Sequence, residues 1–325
     1  MLPAFSYVKP RSLHEAVKLL SPAGSGLLAG GTDLLGCLRD QVTDLKTVVS
    51  ITGLEELRGI TSPANGGVRI GALATIAEIA SHPVLRERYA ALSQAAAGVA
   101  SPQLRNQGTL GGNLCQKPRC WYYRGEFLCL RKGGDRCYAA AGENQFHCIF
   151  GGGPCFIVHP SDTAPALAAF GAVVMITGPR GARTVPAEKF HVLPGVDVRR
   201  DTVLEPGEVV TEVVLPLPPK AMRSSYRKVR ARNSWDFALA GAAIALGIEN
   251  NFASNTRIFL SGAAPVPWRA TAAEEVLNGK KLTPDIIAKA ADAAVKGAQP
   301  LDQNGYKVDL IRGIMQEELT KFAGI

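Results

Sequence analysis

What this chain of 325 residues lacks narrows its function first. No apolar run approaches the roughly 20 residues that a membrane-spanning helix needs, and the most apolar stretch, Phe237 to Ile248, falls well short. The opening segment, Met1 to Pro10, has no charged stretch followed by an apolar one. No export signal is therefore expected, and a cytoplasmic protein is the default, with export beside a signal-bearing partner left open. No recognition-helix, zinc-finger or RNA-binding pattern accompanies the net charge of +8. An acidic partner or an anionic cofactor explains that charge better than nucleic acid does. No Ser-His-Asp set, paired carboxylates or His-Glu-x-x-His motif stands out, so no general acid or base for substrate chemistry is assigned. Gly-x-Gly-x-x-Gly is missing and strand–helix alternation is poor, which argues against a Rossmann sheet. Cysteine is nearly confined to one segment: of seven, only Cys37 lies outside residues 115–155. Without an export signal, such a cluster points to metal or redox chemistry rather than to disulfides.

Three blocks of regular structure are expected from the remaining sequence. The first, residues 1–57, opens with Ser12-Leu-His-Glu15, a capping box before a helix with Leu13, Ala16, Val17 and Leu20 on one face. A strand at Leu27–Ala29, a turn at Gly30 and Gly31, a helical turn through Leu34 to Leu38 and a strand at Thr47–Ile51 follow. The second, residues 58–219, holds a strand at Val68–Ala72, a capping box at Thr75–Glu78 and an alanine-rich helix over Tyr89–Ala100. After the cysteine segment come a strand at Phe156–His159, a helix at Thr163–Phe170 and strands at Val173–Thr177, Thr184–Pro186 and Val209–Leu215. The third, residues 220–325, reads as three antiparallel strands (Tyr226–Arg230, Ala238–Ile248, Thr256–Ser261) and then helices at Pro284–Lys296 and Asp309–Phe322, an α+β arrangement.

Two glycine turns carry the first chemical signal. Ala29, Gly30, Gly31, Thr32 and Asp33 sit between a strand and a helix, where converging backbone N–H groups can hold a phosphate. Gly108, Thr109, Gly111, Gly112 and Asn113 can do the same from a second segment, and Gly lets the main chain approach a pyrophosphate closely. Either turn alone reads more readily as a plain tight turn. With Leu34 and a third segment, Ser161-Asp162-Thr-Ala-Pro-Ala-Leu167, they occur in an order that resembles the three FAD-contacting segments of the flavoprotein subunit in the xanthine dehydrogenase family of molybdenum hydroxylases. Phe5 to Pro10, Leu204 to Glu208, Tyr226-Arg-Lys-Val and Asp236-Phe-Ala add to the likeness, which spans nearly the whole chain.

That resemblance implies an α+β protein. A two-part FAD-binding domain of the vanillyl-alcohol-oxidase type would precede a C-terminal domain like that of the carbon monoxide dehydrogenase flavoprotein. It implies that residues 29–33 and 109–113 cradle the pyrophosphate and that Asp162 binds a ribose hydroxyl or orients the nucleotide. It further implies partners: a molybdenum-cofactor large subunit and a 2Fe–2S small subunit, in a dimer of heterotrimers, with an acceptor such as ferredoxin or NAD.

Asn113 and Ser161 are separated by an insertion, about residues 114–157, that ordinary members of the family lack. Arg119-Cys-Trp-Tyr-Tyr-Arg124, Cys129-Leu-Arg-Lys-Gly-Gly134 and Gly151-Gly-Gly-Pro-Cys155 resemble the insertion that holds a 4Fe–4S cluster in the flavoprotein subunits of 4-hydroxybenzoyl-CoA reductase and some bacterial aldehyde oxidoreductases. The family pattern selects Cys120, Cys129, Cys137 and Cys155 as ligands, with Cys115 and Cys148 spare. Four thiolates can hold such a cluster from loops, and ligation supplies folding energy to a segment poor in apolar residues. Lys117, Arg119, Arg124, Arg131, Lys132 and Arg136 are expected to offset its charge, and Trp121 to shield it. A zinc site completed by His147 or His159 is the alternative, although Cys-x-x-Cys spacing is absent. Cys37 is expected to be a buried thiol, and Trp235 and Trp268 packing residues. The basic run Arg223 to Arg232 is expected to be a solvated strand face, with contact to a subunit or a phosphate as the alternative. The rivals to an electron-carrying subunit are a stand-alone flavin oxidoreductase and a zinc-stabilised binding module.

Overall fold

The computed structural model describes residues 2–63 and 66–325 and contains three sheets. The first is parallel, with β3 (Thr47–Ser50) between β1 (Ser6–Val8) and β2 (Ser25–Leu28). Helices α1 (Leu13–Leu20) and α2 (Leu34–Arg39) accompany it. Ser12 caps α1 by accepting from the Glu15 N–H, while Glu15 reaches back to the Arg11 N–H rather than to that of Ser12. Ala16, Val17 and Leu20 bury the expected face beside Val49, Ile51 and Leu54.

The second sheet is antiparallel, in the order β4 (Ile60–Thr61), β5 (Val68–Gly71), β8 (Val209–Leu215), β6 (Val173–Gly178) and β7 (Gly181–Pro186). Between β5 and β6 run α3 (Ile76–Ser81), α4 (Pro83–Arg88), α5 (Ala90–Ala97), α6 (Pro102–Gln107), α7 (Leu110–Cys115), the single turn α8 (Trp121–Arg124) and α9 (Thr163–Ala169). Thr75 and Glu78 form a complete capping box at α3.

The third sheet is antiparallel and pairs β9 (Met222–Val229), β10 (Ala240–Glu249), β11 (Phe252–Ser261) and β12 (Trp268–Arg269) in sequence order. It is followed by α10 (Thr271–Leu277), α11 (Pro284–Ala294) and α12 (Tyr306–Ala323). Strand β10 is buried on both faces, so its alternate residues serve two cores. Ala243 and Ala245 join the core built by α5, α9 and the second sheet, whereas Ala242, Ile244 and Leu246 join the core beneath α10, α11 and α12. The C-terminal sheet is thereby fixed against the domain that carries the glycine segments. Among the described residues, no helix is long and apolar enough to cross a membrane.

Several expectations need correction. Phe156–His159 forms no strand; Phe156 and His159 each make a backbone bond to a loop, to Cys148 and Ala264, instead of joining a ladder. The second glycine segment is not a free turn. Thr109 accepts from the Gly112 N–H and so caps the short α7, which begins at Leu110. The alanine-rich helix is shorter than expected and ends before Gly98. Helix α10 had no strong apolar period to announce it; its buried face is Ala273 and Leu277 together with a charged residue, Glu274.

Candidate functional site

The first glycine turn owes its shape to two residues. Gly31 has φ +71°, a left-handed conformation that a side chain disfavours. A Cβ on Gly30 would lie 1.8 Å from the carbonyl oxygen of Gln107, so only glycine allows this turn to lie against the end of α6. The two glycine segments are thus joined backbone to backbone. Their donors differ, however. In the second segment, Leu110 and Gly111 donate to Ala74 and Ala72, and Asn113 to Thr109. In the first, among the described residues, the N–H groups of Gly30, Gly31, Thr32, Asp33 and Leu34 donate to no protein group. A run of consecutive free N–H groups at a glycine turn is what an anionic phosphate needs, and here it comes from residues 30–34 alone.

The third segment docks on the second through one amide. Asn113 Oδ1 accepts from Thr163 Oγ1 at 2.7 Å and also from Ser161 Oγ. Ser161 Oγ in turn accepts from the Ala164 N–H at 3.0 Å, so Ser161, not Asp162, caps α9. Asp162 is buried, and its carboxylate turns to the C-terminal domain. Tyr226 Oη donates to one oxygen at 2.7 Å and Lys228 Nζ to the other at 2.7 Å. Burial raises the Asp162 carboxyl above its ordinary range, with Lys228 and Tyr226 opposing the shift. Lys228 belongs to the run expected to be solvated; instead it and Tyr226, two apart on β9, form the buried side of this network.

Three cavities follow one another along these segments. One of about 340 Å³ lies between the first sheet and the second domain and is lined by Leu27, Gly30, Thr32, Leu45, Ala72 and Val210. The next, about 150 Å³, shares Thr32, Asp33, Thr109, Gly112 and Gln116 with it and adds Asp162, Lys228 and Trp235. The third, about 280 Å³, shares Arg119, Asp162 and Phe237 with the second and reaches Cys120, Trp121 and His147. The result is a trough with an apolar slot at one end, the glycine turns in the middle and aromatic walls at the other. Such a shape suits an extended dinucleotide with a planar ring at each end. Trp235 is 67% exposed and has φ +52°, so it is a wall of this trough rather than the packing residue expected. Trp268 does pack, stacking on Phe150 at 5.2 Å.

Asp33 and Asp201 anchor the insertion. Asp33 accepts from the backbone of Lys117 at 2.7 Å and pairs with Arg124 at 2.7 Å and Arg119 at 2.9 Å. Buried Asp201 pairs with Lys117 at 2.7 Å and with Arg131. Four of the six cations expected to offset a cluster's charge are therefore committed to carboxylates. Of the other two, Lys132 donates to the Gly125 carbonyl and Arg136 pairs with exposed Asp135.

Of the four selected cysteines, Cys137 and Cys155 lie beside each other, and their interaction lowers the Cys137 thiol to about 6 and raises that of Cys155. Burial, reinforced by the neighbouring sulfurs of Cys137 and Cys129, pushes Cys120 up to about 11. Cys115 stands apart on the wall of the first cavity. Cys148 is buried, with its thiol pushed up to about 12 by desolvation. His147 Nε2 lies 3.3 Å from Cys120 Sγ, whereas His159 packs on His191 with ring centres 3.9 Å apart. Among the described residues, no three His, Cys, Asp or Glu side chains converge closely enough to take a single metal ion. Cys37 is buried, as expected, with its thiol pushed up to about 11 by burial. Lys307, which sequence reasoning missed, is wholly buried behind the insertion; desolvation pulls its ammonium down to about 8.

Comparison with known proteins places this geometry. Residues 3–218 match the FAD binding domain in molybdopterin dehydrogenase, and residues 224–322 match the CO dehydrogenase flavoprotein C-terminal domain. The chain is 33% identical to the aldehyde oxidoreductase FAD-binding subunit PaoB of Escherichia coli (strain K12), over 98% of each chain. It is 31% identical to the carbon monoxide dehydrogenase medium chain of Hydrogenophaga pseudoflava, over 92% of this chain and 89% of that one. Among solved structures, quinoline 2-oxidoreductase from Pseudomonas putida 86 superposes with a TM-score of 0.78 at 25% identity, covering 100% of this chain and 98% of that one. Carbon monoxide dehydrogenase from Hydrogenophaga pseudoflava gives 0.77 at 29% identity, covering 98% and 96%.

Proposed function

The chain belongs to the FAD-binding subunits of the xanthine dehydrogenase, carbon monoxide dehydrogenase and aldehyde oxidoreductase family, and on that premise we propose that it is the electron-carrying subunit of a heterotrimeric molybdenum hydroxylase. Its partners would be a molybdenum-cofactor large subunit and a 2Fe–2S small subunit, two such trimers pairing. Its external acceptor would be a ferredoxin or NAD. The observation that carries this reading is the convergence of residues 29–34, 108–113 and 161–163 on one trough closed by β9. A cytoplasmic setting belongs to the same reading.

FAD, when bound, supplies one- and two-electron redox chemistry. The chain's own part is binding and orientation. In this reading the free N–H groups of residues 30–34 take the pyrophosphate, and Thr32 and Thr109 offer hydroxyls beside it. Asn113 holds Ser161 and Thr163, which fixes the third segment against the second. Asp162 has both oxygens engaged by Tyr226 and Lys228 yet lines the trough, so its role toward the nucleotide is to accept a ribose hydroxyl with a remaining lone pair or to present Lys228.

Cys120, Cys129, Cys137 and Cys155 are proposed to hold a 4Fe–4S cluster, with Cys148 and Cys115 spare. The support is the mutual proximity of their sulfurs in a loop segment and the fact that a cubane spreads its ligands over four corners. The short contact of His147 with Cys120 favours zinc as a second reading, but a single zinc ion needs four donors converging on one point.

Purification of the native complex under anaerobic conditions tests the proposal. A heterotrimer with flavin and iron–sulfur absorption is expected. Full activity of this chain alone would favour a stand-alone flavin oxidoreductase, and one zinc with no visible bands would favour a binding module.

A further inference from the structure

Lys307 is placed where a lysine is hard to keep. It is wholly buried, and its ammonium donates only to the carbonyl oxygens of Phe146 at 3.1 Å and Gly262 at 2.7 Å. No carboxylate among the described residues pairs with it. Isolated buried cations are strongly disfavoured unless an opposite charge accompanies them. Its backbone position adds to the difficulty. Lys307 is the second residue of the 18-residue helix α12, whose N-terminus carries the positive end of the helix dipole. The acid of that first turn, Asp309, faces solvent and pairs with Arg312. The fold has nonetheless built a socket for this side chain. Asn304 Nδ2 donates to the carbonyls of His147 and Cys148, Tyr306 Oη donates to Gln145, and Gln303 exchanges bonds with Asn144.

What the ammonium faces is the inner side of the cysteine insertion. The Phe146 carbonyl lies directly on it, and the next two residues, His147 and Cys148, are held by Asn304 three positions before Lys307. His147 leads to Cys120 at 3.3 Å. Cys148 donates its N–H to Phe156, the residue after Cys155, and its sulfur neighbours Cys137. The more obvious cations of the insertion are taken by Asp33 and Asp201. Four thiolates around an iron–sulfur cubane leave a net negative charge, and potential is set by that charge and its surroundings.

We infer that Lys307 is a positioning residue for the insertion's metal centre: a buried counter-charge, delivered by the C-terminal domain, that stabilises the reduced cluster and raises its potential. The inference rests on the proposed four-cysteine cluster. It also gives the C-terminal domain an electrostatic task at a centre whose ligands all come from another domain.

Redox titration of the anaerobically purified full chain, followed by electron paramagnetic resonance, tests this. Lys307→Met should keep iron and FAD while shifting the cluster midpoint to lower potential, and Lys307→Arg should remain near the wild type. The flavin midpoint, read in the same titration, should not move. If Lys307→Met does not fold, Lys307→Gln removes the charge while keeping a donor for the two carbonyls, and the same downward shift is expected. Loss of iron in the neutral variants with retention in Lys307→Arg would also support a charge role. Equal potentials in all variants, or equal loss of iron in the arginine and neutral variants, would overturn it. Absence of iron from the wild-type chain would instead defeat the cluster assignment itself, a separate result visible before any variant is made.

Discussion

Asp162 and Lys228 meet at 2.7 Å with each side chain only 6% exposed, one from the segment after the insertion and the other from the C-terminal sheet. This pair is the polar joint between the two domains at the trough. Removing one partner leaves the other charge buried, at ~3–5 kcal/mol for such pairs. Lys228→Met should therefore lower the urea unfolding free energy by about that amount and weaken FAD retention, while the Lys228→Met, Asp162→Asn double variant should recover much of the stability. Equal losses in single and double variants would show that packing, not the charge pair, holds the joint.

The glycine turn makes a sharper demand. Gly30→Ala drives a methyl group into the Gln107 carbonyl, whereas Gly112→Ala meets only Thr109 Oγ1, at 3.1 Å. FAD content after gel filtration should fall severely in the first and mildly in the second. Full FAD occupancy in Gly30→Ala would mean that the backbone apposition does not shape the site.

Acid should loosen the protein near His159 and His191. Burial pushes His191 down to about 4 and His159 well below its ordinary value, helped by the neighbouring ring. Unfolded histidine titrates near 6.5, so below that pH the unfolded chain binds protons that the folded chain refuses. The stability contribution is present above about 6.5 and is lost as pH falls toward 4. His191→Gln, which keeps a donor for the Leu114 carbonyl, should show a flatter decline in melting temperature between those values. An unchanged slope would remove His191 as a cause.

Asp201 should control the order of the insertion. Asp201→Asn leaves Arg131 buried without its anion, a loss on the order of 3 kcal/mol. Faster limited proteolysis within residues 117–136, with the rest of the chain intact, is the expected outcome. Unaltered cleavage would place the anchor on Asp33 alone.

Much of the fold was legible: β9 to β11, α11 and α12 were all expected near where they stand, although β9 and β11 each begin four residues earlier than expected and β10, buried on both faces, has no apolar alternation. The glycine segments were legible as turns, but which one offers free N–H groups depends on Ala72 and Ala74, thirty-odd positions away from Gly111, and so on tertiary placement. The same is true of Lys228. Its alternation with Tyr226 was visible, yet a charged residue in a basic run reads as solvated until its partner Asp162 is placed beside it. Phe156–His159 has strand composition but no neighbouring strand, and residue type alone does not reveal a missing partner. Lys307 lay just before the helix expected at Asp309–Phe322, which in fact starts at Tyr306, and nothing local distinguished it from an exposed lysine.

The most direct test is the absorption spectrum and iron content of the full chain purified anaerobically. Stoichiometric FAD with its resolved visible bands, overlaid by a broad iron–sulfur shoulder and about four irons per chain, is the expected result. The irons should vanish in Cys137→Ser while FAD stays bound. A flavin-free chain would contradict the trough as the FAD site, and bound FAD with no iron would contradict the cysteine centre.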